Sequence, residues 1–272
     1  ITWYSDVSPY TGQRYWSISD LSNYHTQRED TVKGIKYGAG NGNAALKNVS
    51  SIQDLGNHRV KITYSSKASE VQNGMCFQSR PTVRDHAGTF FWKSKDITMT
   101  SLDIHFLHGF GMVGQHSENI TMDDVDFEAP KESGRTTAGY ADFVQMSGCK
   151  GTINISNCTF AGPHDDPINI HGTHLKVMEY VSDKQVKVRF MHGQSYGFEA
   201  FYKGDEVEFV DAHSLRCLQP ARVKAVERID DYEILLTLDR AVNDNVKTAE
   251  NVSVENVTWT PEVEIRNNYF SR

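Results

Sequence analysis

The stretch INISNCTF at residues 153–160 is one of four copies of a single pattern, and this repeat decides the fold. The other copies are ITMTSLDI at 97–104, ITMDDVDF at 120–127 and VEIRNNYF at 263–270. Each copy begins with an apolar, polar, apolar triplet and has an aromatic or aliphatic residue at its eighth position. Short strands that recur at a fixed period are typical of repeat folds, in which each unit buries its apolar side chains by stacking on its neighbours.

The spacing of the copies shows where the repeat is interrupted. Ile97 and Ile120 are 23 residues apart, whereas Ile120 and Ile153 are 33 apart, a surplus of 10 that coincides with the polar stretch EAPKESGRTT. Ile153 and Val263 are 110 residues apart, which equals one 23-residue unit and 87 further residues. The sequence therefore predicts an all-β chain, a right-handed parallel β-helix that carries a loop and an inserted domain.

The inserted stretch differs from the repeats in its pattern of apolar and polar residues. Segments such as QVKVRFM, DEVEFVD and YEILLTLD alternate apolar and polar residues, as half-exposed antiparallel strands do. We predict a small antiparallel β-barrel at residues 173–259, with the β-helix at 1–172 and its return at 260–272. Before about residue 80 only HRVKITYS indicates a strand, and irregular early coils are expected there. An antiparallel sandwich also has short strands, but the shared register of four copies disfavours it.

The last copy is followed by only two residues, so we expect further coils or a partner to cover its apolar face and unpaired backbone. The four cysteines form no CxxC pair, which disfavours a zinc site or a dense disulfide framework. The sequence begins without an apolar signal core. We expect a secreted or periplasmic protein whose signal peptide lies outside this sequence.

The charge and hydropathy of the chain exclude two classes of partner. The 28 Lys and Arg residues against 35 Asp and Glu give a net charge of −7, and no basic block is present, which argues against nucleic-acid binding. No stretch approaches the roughly 18 consecutive apolar residues of a membrane span. Trp259 and the aromatic residues before residue 25 suit either a cleft wall or a dimer contact, so a homodimer stays open.

A cluster of aspartates is the strongest chemical signal. Removal of the 10-residue loop places Asp142 twelve residues after Ile120, the same offset as Asp165 from Ile153. The two are therefore expected to stack in successive coils about 4.8 Å apart, with Asp166 beside them. Like charges at that distance favour protonation of one carboxyl. Glycoside hydrolysis requires one protonated carboxyl and one carboxylate, and this cluster supplies both.

Neutral hydrogen-bonding groups surround the predicted cluster. The run PHDDPINIHG places His164, Asn169 and His171 around the acidic pair. By the same register His108 aligns with His164, and Gln115 aligns with His171, so all five are candidate substrate ligands. Because few basic residues lie nearby, a neutral hexose suits this site better than a uronate.

No metal or cofactor is assigned. His105, His108 and His116 lack an acidic or cysteine partner at ligand spacing, and hydrogen bonding explains them better than metal ligation.

The chain resembles a known enzyme family in this region. The segments KSKDITMTSLDIHFLHGFGMVGQHSENITMDDVDF, RTTAGYADF and INISNCTFAGPHDDPINIHG resemble the glycoside hydrolase family 110 α-1,3-galactosidases, and the resemblance resumes at VEIRNNYF. It implies an inverting exo-enzyme, a β-helix with β-barrel insertions, that removes terminal α-1,3-linked galactose. It also implies that Asp142, Asp165 and Asp166 are the catalytic carboxylates. The residues at His164, Pro167 and Ile168 depart from the usual family motif, which leaves the linkage and leaving group open.

Two other functions remain open at this stage. A uronate-directed polysaccharide hydrolase or lyase of the pectinase type also carries aspartates on adjacent coils, and it requires basic residues near the site. A non-catalytic glycan-binding β-helix would tolerate the loss of all three aspartates.

Overall fold

This computed structural model describes residues 21–26, 49–57, 59–65, 75–79, 87–133, 135, 137–163, 165–193 and 195–271. Within these ranges the regular structure is almost entirely β, with one short helix, α1 (Asp244–Lys247), and 3₁₀ turns at Lys131–Ser133 and Val257–Trp259. The predicted all-β class is confirmed. In the described part of the chain no helix has the length and apolar character needed to cross a membrane.

The described residues before residue 87 form antiparallel pairs of strands. The four strands are β1 (Leu21–Thr26), β2 (Val49–Gly56), β3 (Arg59–Tyr64) and β4 (Met75–Ser79). Strand β1 pairs with β4, and β2 pairs with β3. The strand predicted from HRVKITYS is therefore confirmed as β3. Most of the irregular coils predicted for this region fall outside the described residues, and the described part is antiparallel.

From residue 89 onward the chain alternates between two parallel sheets. The eight strands of this stretch are β5 (Thr89–Trp92), β6 (Lys95–Ile104), β7 (Met112–Gln115), β8 (Glu118–Phe127), β9 (Val144–Ser147), β10 (Lys150–Ser156), β11 (Thr159–Ala161) and β12 (Ile168–His171). Strands β5, β7, β9 and β12 form one sheet, which we call the short sheet. Strands β6, β8, β10 and β11 belong to the other, which we call the repeat sheet.

The four sequence copies stack in the register that their pattern predicts. Ile120 pairs with Ile97 on one side and with Ile153 on the other, and Ile153 pairs with Val263 of a later strand. The fifth residue of every copy has a left-handed backbone, with φ between 54° and 58°; these residues are Ser101, Asp124, Asn157 and Asn267. Asn and Asp tolerate this conformation best, which explains the polar fifth position of the pattern.

The eighth position of the copies builds an aromatic stack in the core. The ring centroids of Phe127 and Phe160 are 5.1 Å apart, and those of Phe160 and Phe270 are 5.2 Å apart. Phe143, from the segment before β9, stacks on Phe127 at 5.3 Å. Phe127, Phe143 and Phe160 are completely buried. The stack therefore joins consecutive units through ring contacts.

The predicted barrel is present as a closed sheet of six antiparallel strands. These are β13 (His174–Ser182), β14 (Gln185–Arg189), β15 (Glu206–Asp211), β16 (Cys217–Arg228), β17 (Glu233–Leu238) and β18 (Val252–Asn256). Alternate residues of its strands, such as Val186, Val188 and Leu236, fill the interior, as the two-residue period of a strand requires. Closure leaves no unpaired strand edge. The chain then returns to the repeat sheet in β19 (Glu262–Arg266) and β20 (Tyr269–Ser271).

His116 connects the parallel sheets to the barrel. Its Nδ1 lies 2.9 Å from the Tyr202 hydroxyl, and its ring centroid is 5.0 Å from that of Trp259. The sequence left Trp259 open to a cleft wall or a dimer contact, and the structure places it against His116 and Tyr202 of the same chain. Burial, assisted by the nearby charge of Lys93, lowers the pKa of His116 to about 4.

This pKa predicts an acid-sensitive junction. Because the folded pKa lies below the ordinary value of 6.5, the unfolded chain binds a proton in the window between 6.5 and about 4 that the folded chain does not. Stability is lost as pH falls through this window, by about 3 kcal/mol for this group at its lower end. Urea denaturation of the native protein and of His116→Gln at pH 7 and pH 4 is expected to show a smaller pH dependence in the variant. Equal dependence in both proteins would contradict this origin.

Candidate active site

The three predicted aspartates lie together at the beginning of two neighbouring strands of the short sheet. Asp142 precedes β9, and Asp165 and Asp166 precede β12. The Asp165 N–H donates to the carbonyl of Ala141 at 3.3 Å, and the Phe143 N–H donates to the carbonyl of Asp166 at 3.1 Å. The backbone on both sides of Asp142 is therefore bonded to the acidic pair, as the prediction of one cluster requires.

The predicted stacking partner of Asp142 is wrong by one residue. Val144 pairs with Ile168, and counting back two residues on each strand places Asp142 level with Asp166, not with Asp165. On the other side Met112 pairs with Val144, and the same count places Phe110 level with Asp142. The one-residue difference arises from the distribution of the 10 extra residues between Ile120 and Ile153. Only 9 of them precede Val144, since Ile120 to Val144 is 24 residues and Ile153 to Ile168 is 15.

The tenth residue is a β-bulge in β10. Lys150 pairs with Glu118 and Ile153 with Ile120, so three steps on one strand oppose two on the other. The extra residue lies at Gly151 or Thr152, after the aspartates, and a bulge of this kind leaves the rest of the ladder intact. It shifts the count for every residue between the loop and β10, including Asp142.

The aspartates differ in their access to solvent. Asp142 is only 4% exposed, whereas Asp165 and Asp166 are both exposed. Burial and a like-charged neighbour both favour the protonated form of a carboxyl group. The arrangement thus provides one shielded carboxyl beside two that water reaches.

Gly111 allows β7 to approach the backbone of Asp142. Its φ is +74°, and a Cβ at this position would lie 2.1 Å from the carbonyl oxygen of Asp142 and 2.7 Å from that of Phe143. Only glycine combines this conformation with so close an approach. The position of Asp142 therefore depends on the absence of a side chain at residue 111.

For the galactoside hydrolysis that the family resemblance implies, the Gly111→Ala protein is expected to lose about a hundredfold in kcat, because a displacement of about 1 Å at a catalytic group has an effect of that size. The matched control is Gly56→Ala, since Gly56 has a φ of +69° and nothing within 4 Å of its missing Cβ. Initial rates corrected for the folded fraction measured by circular dichroism give the comparison. Full activity in the Gly111→Ala protein would show that Asp142 is positioned in another way.

Three of the predicted ligands lie on the outer face of the short sheet. Ile168 and Ile170 of β12 pack against the core, so Asn169 and His171, which alternate with them, face outward. Gln115 pairs with Ser147, which pairs with His171, and the predicted alignment of Gln115 with His171 is confirmed. The outer face therefore collects amide and imidazole groups on the strands that follow the aspartates.

The two remaining ligand candidates lie before these strands. The ring of His108 is 5.9 Å from that of Tyr140, and its Nδ1 accepts the Gly109 N–H at 2.9 Å. This places His108 on the approach to β7, at the same end of the short sheet as the aspartates. His164, predicted to align with it, lies outside the described residues.

The sequence analysis missed three residues of the same outer face. Gln145 pairs with Asn169, and its side-chain Oε1 is buried with no hydrogen-bond partner among the described residues. Phe90 and Trp92, on β5, are each 55% exposed. Exposed aromatic rings beside amide groups are able to stack on and hydrogen-bond a sugar. The alternation of apolar and polar residues at the start of β9 could have predicted that Gln145 faces outward.

Nowhere in the described ranges do three or more His, Cys, Asp or Glu side chains form a group that could hold a metal ion. His105 instead lies 3.3 Å from the carbonyl of Glu128, and His116 contacts Tyr202.

Comparison with known proteins shows which enzymes the chain is similar to. The family model described as GLAA-B beta-barrel domain II matches residues 185–252, within the closed barrel. The chain is 47% identical over 216 residues to alpha-1,3-galactosidase A of Bacteroides thetaiotaomicron, which is 79% of this chain and 38% of that protein. It is 41% identical over 279 residues to alpha-1,3-galactosidase A of Streptomyces avermitilis, 99% of this chain and 44% of that protein.

A third relative has a lower identity. Alpha-1,3-galactosidase A of Akkermansia muciniphila is 36% identical over 216 residues, 79% of this chain and 36% of that protein. The chain thus spans less than half the length of these relatives. Over the part that it spans, it belongs to the α-1,3-galactosidase family, glycoside hydrolase family 110.

Proposed function

We propose that the parallel strands are coils of a right-handed β-helix and that the barrel is a domain inserted in it. The chain passes alternately through the short and repeat sheets in a constant register, which supports coiling. Crossovers between parallel strands are right-handed in about 98% of cases, which supports the hand. The proposed units are residues 1–172, with irregular N-terminal coils and β-helix coils from β5 onward, the barrel domain at 173–259 and the return at 260–272.

We further propose that the whole protein is an exo-acting, inverting glycoside hydrolase that removes terminal α-1,3-linked galactose outside the cytoplasm, as a secreted or periplasmic enzyme. The observation that carries this function is the convergence of Asp142, Asp165 and Asp166 on neighbouring strands, in a chain whose relatives bear the name alpha-1,3-galactosidase. Acid and base groups of this kind are what glycosidases require.

The burial of the aspartates supports an assignment of roles. Asp142, shielded and level with Asp166, is the general acid, and it protonates the glycosidic oxygen as the bond to the anomeric carbon breaks. An inverting enzyme needs about 6.5 to 9.5 Å between its two carboxyls so that water fits between them. Two residues level on adjacent strands are about 4.8 Å apart. Asp165 is therefore the general base, which takes a proton from the attacking water, and Asp166 favours the protonated form of Asp142.

The outer face of the short sheet holds the sugar in this proposal. Asn169, His171 and Gln115 bind hydroxyl groups, and Gln145 extends the same row. His108 approaches the galactose from the end of the sheet that carries the aspartates, and His164 stays a candidate ligand from the sequence alone. No step needs a metal or an organic cofactor.

The anomer released first tests the inverting mechanism. When the methyl β-glycoside of α-1,3-galactobiose is hydrolysed in an NMR tube, the leaving methyl galactoside cannot mutarotate, so we expect the β-galactose signal before the α-galactose signal, which then grows by mutarotation. Prior appearance of α-galactose would contradict inversion. Galacturonan and other uronate polymers serve as the competing substrates, and faster turnover of these would favour the pectinase-type alternative.

A further inference from the structure

A pocket lies at the corner where the chain turns away from the short sheet, after the ends of β5, β7 and β9. Its volume is about 280 Å³. The corner contributes residues from three successive turns of chain, namely Lys93, Lys95, His116, Glu118 and Lys150. Tyr202 and Trp259, both from the inserted region 173–259, cover the other side. We call this space the corner pocket, and it accommodates one sugar ring, since a water takes only about 30 Å³.

The corner is built by a repeated backbone conformation. Lys93, His116 and Gly148 each follow the last residue of a short-sheet strand, and their φ angles are 51°, 46° and 55°. A Cβ on Gly148 would lie 2.5 Å from Thr173 Oγ1 and 3.1 Å from the His116 ring. The absence of a side chain at Gly148 therefore lets the His116 ring lie between the corner and the barrel.

The corner pocket is locally basic in an acidic chain. Three lysines line it against the single carboxylate of Glu118, although the chain carries a net charge of −7. Glu118 is shared between two of them, at 3.2 Å from Lys95 and 3.4 Å from Lys150. Lys93 pairs with Glu199 at the rim. One carboxylate divided between two ammonium groups leaves donor capacity for a further anion.

Two buried nitrogen atoms of the lining residues have no hydrogen-bond partner among the residues that the structure describes. His116 is 2% exposed, and its Nε2 has no hydrogen-bond partner within the described part of the chain. The same holds for the indole Nε1 of Trp259. Buried polar atoms are rarely left unsatisfied, so a bound water or another small polar molecule is expected beside these nitrogens. Neutral and charged groups together fit a ligand with both hydroxyl and acidic groups.

We propose that the corner pocket binds an acidic monosaccharide unit, a sugar that carries a carboxylate or a sulfate ester, at a site separate from the aspartates. Gly148 lies six residues after Asp142 along an extended segment, roughly 20 Å at about 3.3 Å per residue. An inorganic anion would fill only a fraction of the pocket, whereas a sugar ring fills it. The inference does not depend on the proposed hydrolysis, because the two sites share no residue.

Calorimetric titration of the whole protein with galacturonate, galactose 6-sulfate, galactose and inorganic sulfate tests the proposal. Both acidic sugars are expected to bind at least about tenfold more tightly than galactose or sulfate, because charged hydrogen bonds contribute strongly. Binding is expected to persist in Asp166→Asn, which separates this site from the catalytic one. Equal affinity for galactose, or sulfate binding as tight as that of the acidic sugars, would overturn the proposal.

Variants of the lining sharpen the test. The double variant Lys95→Gln/Lys150→Gln is expected to lose about tenfold in affinity for galacturonate. The charge-matched control Lys176→Gln/Lys224→Gln, on exposed barrel positions, is expected to lose less than about twofold. Glu118→Gln releases both lysines and is expected to bind several-fold more tightly, a gain that misfolding cannot produce. Equal affinity in all three variants would show that the acid binds elsewhere.

Discussion

The Asp142→Asn protein is expected to hydrolyse α-1,3-galactobiose about a thousandfold more slowly than the native protein, within the range for loss of a general acid. It is expected to lose much less on p-nitrophenyl α-galactoside, because nitrophenolate departs without a proton. Asp165→Asn is expected to lose about a thousandfold on both substrates, since the attacking water needs the base in each case. Initial rates with the two substrates measure the difference.

The control for these substitutions is Asp103→Asn, which removes an exposed carboxylate of β6 in the repeat sheet and is expected to retain full activity. Equal losses on both substrates in Asp142→Asn would take the acid role from this residue. Full activity in Asp142→Asn, Asp165→Asn and Asp166→Asn alike would instead favour a non-catalytic glycan-binding protein.

The Phe160→Ala protein is expected to lose about 3 to 5 kcal/mol of unfolding free energy, the usual effect of removing a buried phenylalanine. Phe160 is completely buried and stacks between Phe127 and Phe270. Its loss leaves a cavity at the centre of the aromatic stack. Urea denaturation followed by circular dichroism gives the difference in unfolding free energy.

Phe270→Ala is the matched control, because Phe270 occupies the same position of the last copy and is 49% exposed. It is expected to lose less than half as much as Phe160→Ala, in proportion to the smaller area buried. Equal losses in the two variants would contradict the register in which the four copies stack.

The register of the repeat sheet was predictable because its signals are local. The apolar first and third residues are completely buried in the two middle copies, and the fifth residue of every copy takes a left-handed backbone that Asn and Asp adopt readily. Both signals recur in the sequence of every copy, so a single sequence contains four independent instances. The closed barrel was predictable for a similar reason, since Val186, Val188 and their neighbours alternate with polar residues.

The partner of Asp142 was not predictable from spacing alone. A surplus of 10 residues gives no sign of how it is divided, and one residue of it became a bulge near Gly151. The contacts of His116 with Tyr202 and Trp259 could not be predicted from the sequence either, because they join residues that are 86 and 143 positions apart. No periodic pattern reports on contacts between separate elements.

A crystal structure of the Asp142→Asn protein with α-1,3-galactobiose tests the central claim most directly. We predict that the glycosidic oxygen lies within hydrogen-bond distance of the side chain at residue 142, with Asp165 on the opposite face of the terminal galactose and Asn169 and His171 on its hydroxyl groups. A disaccharide bound away from these aspartates, with its terminal galactose elsewhere on the protein, would contradict the account.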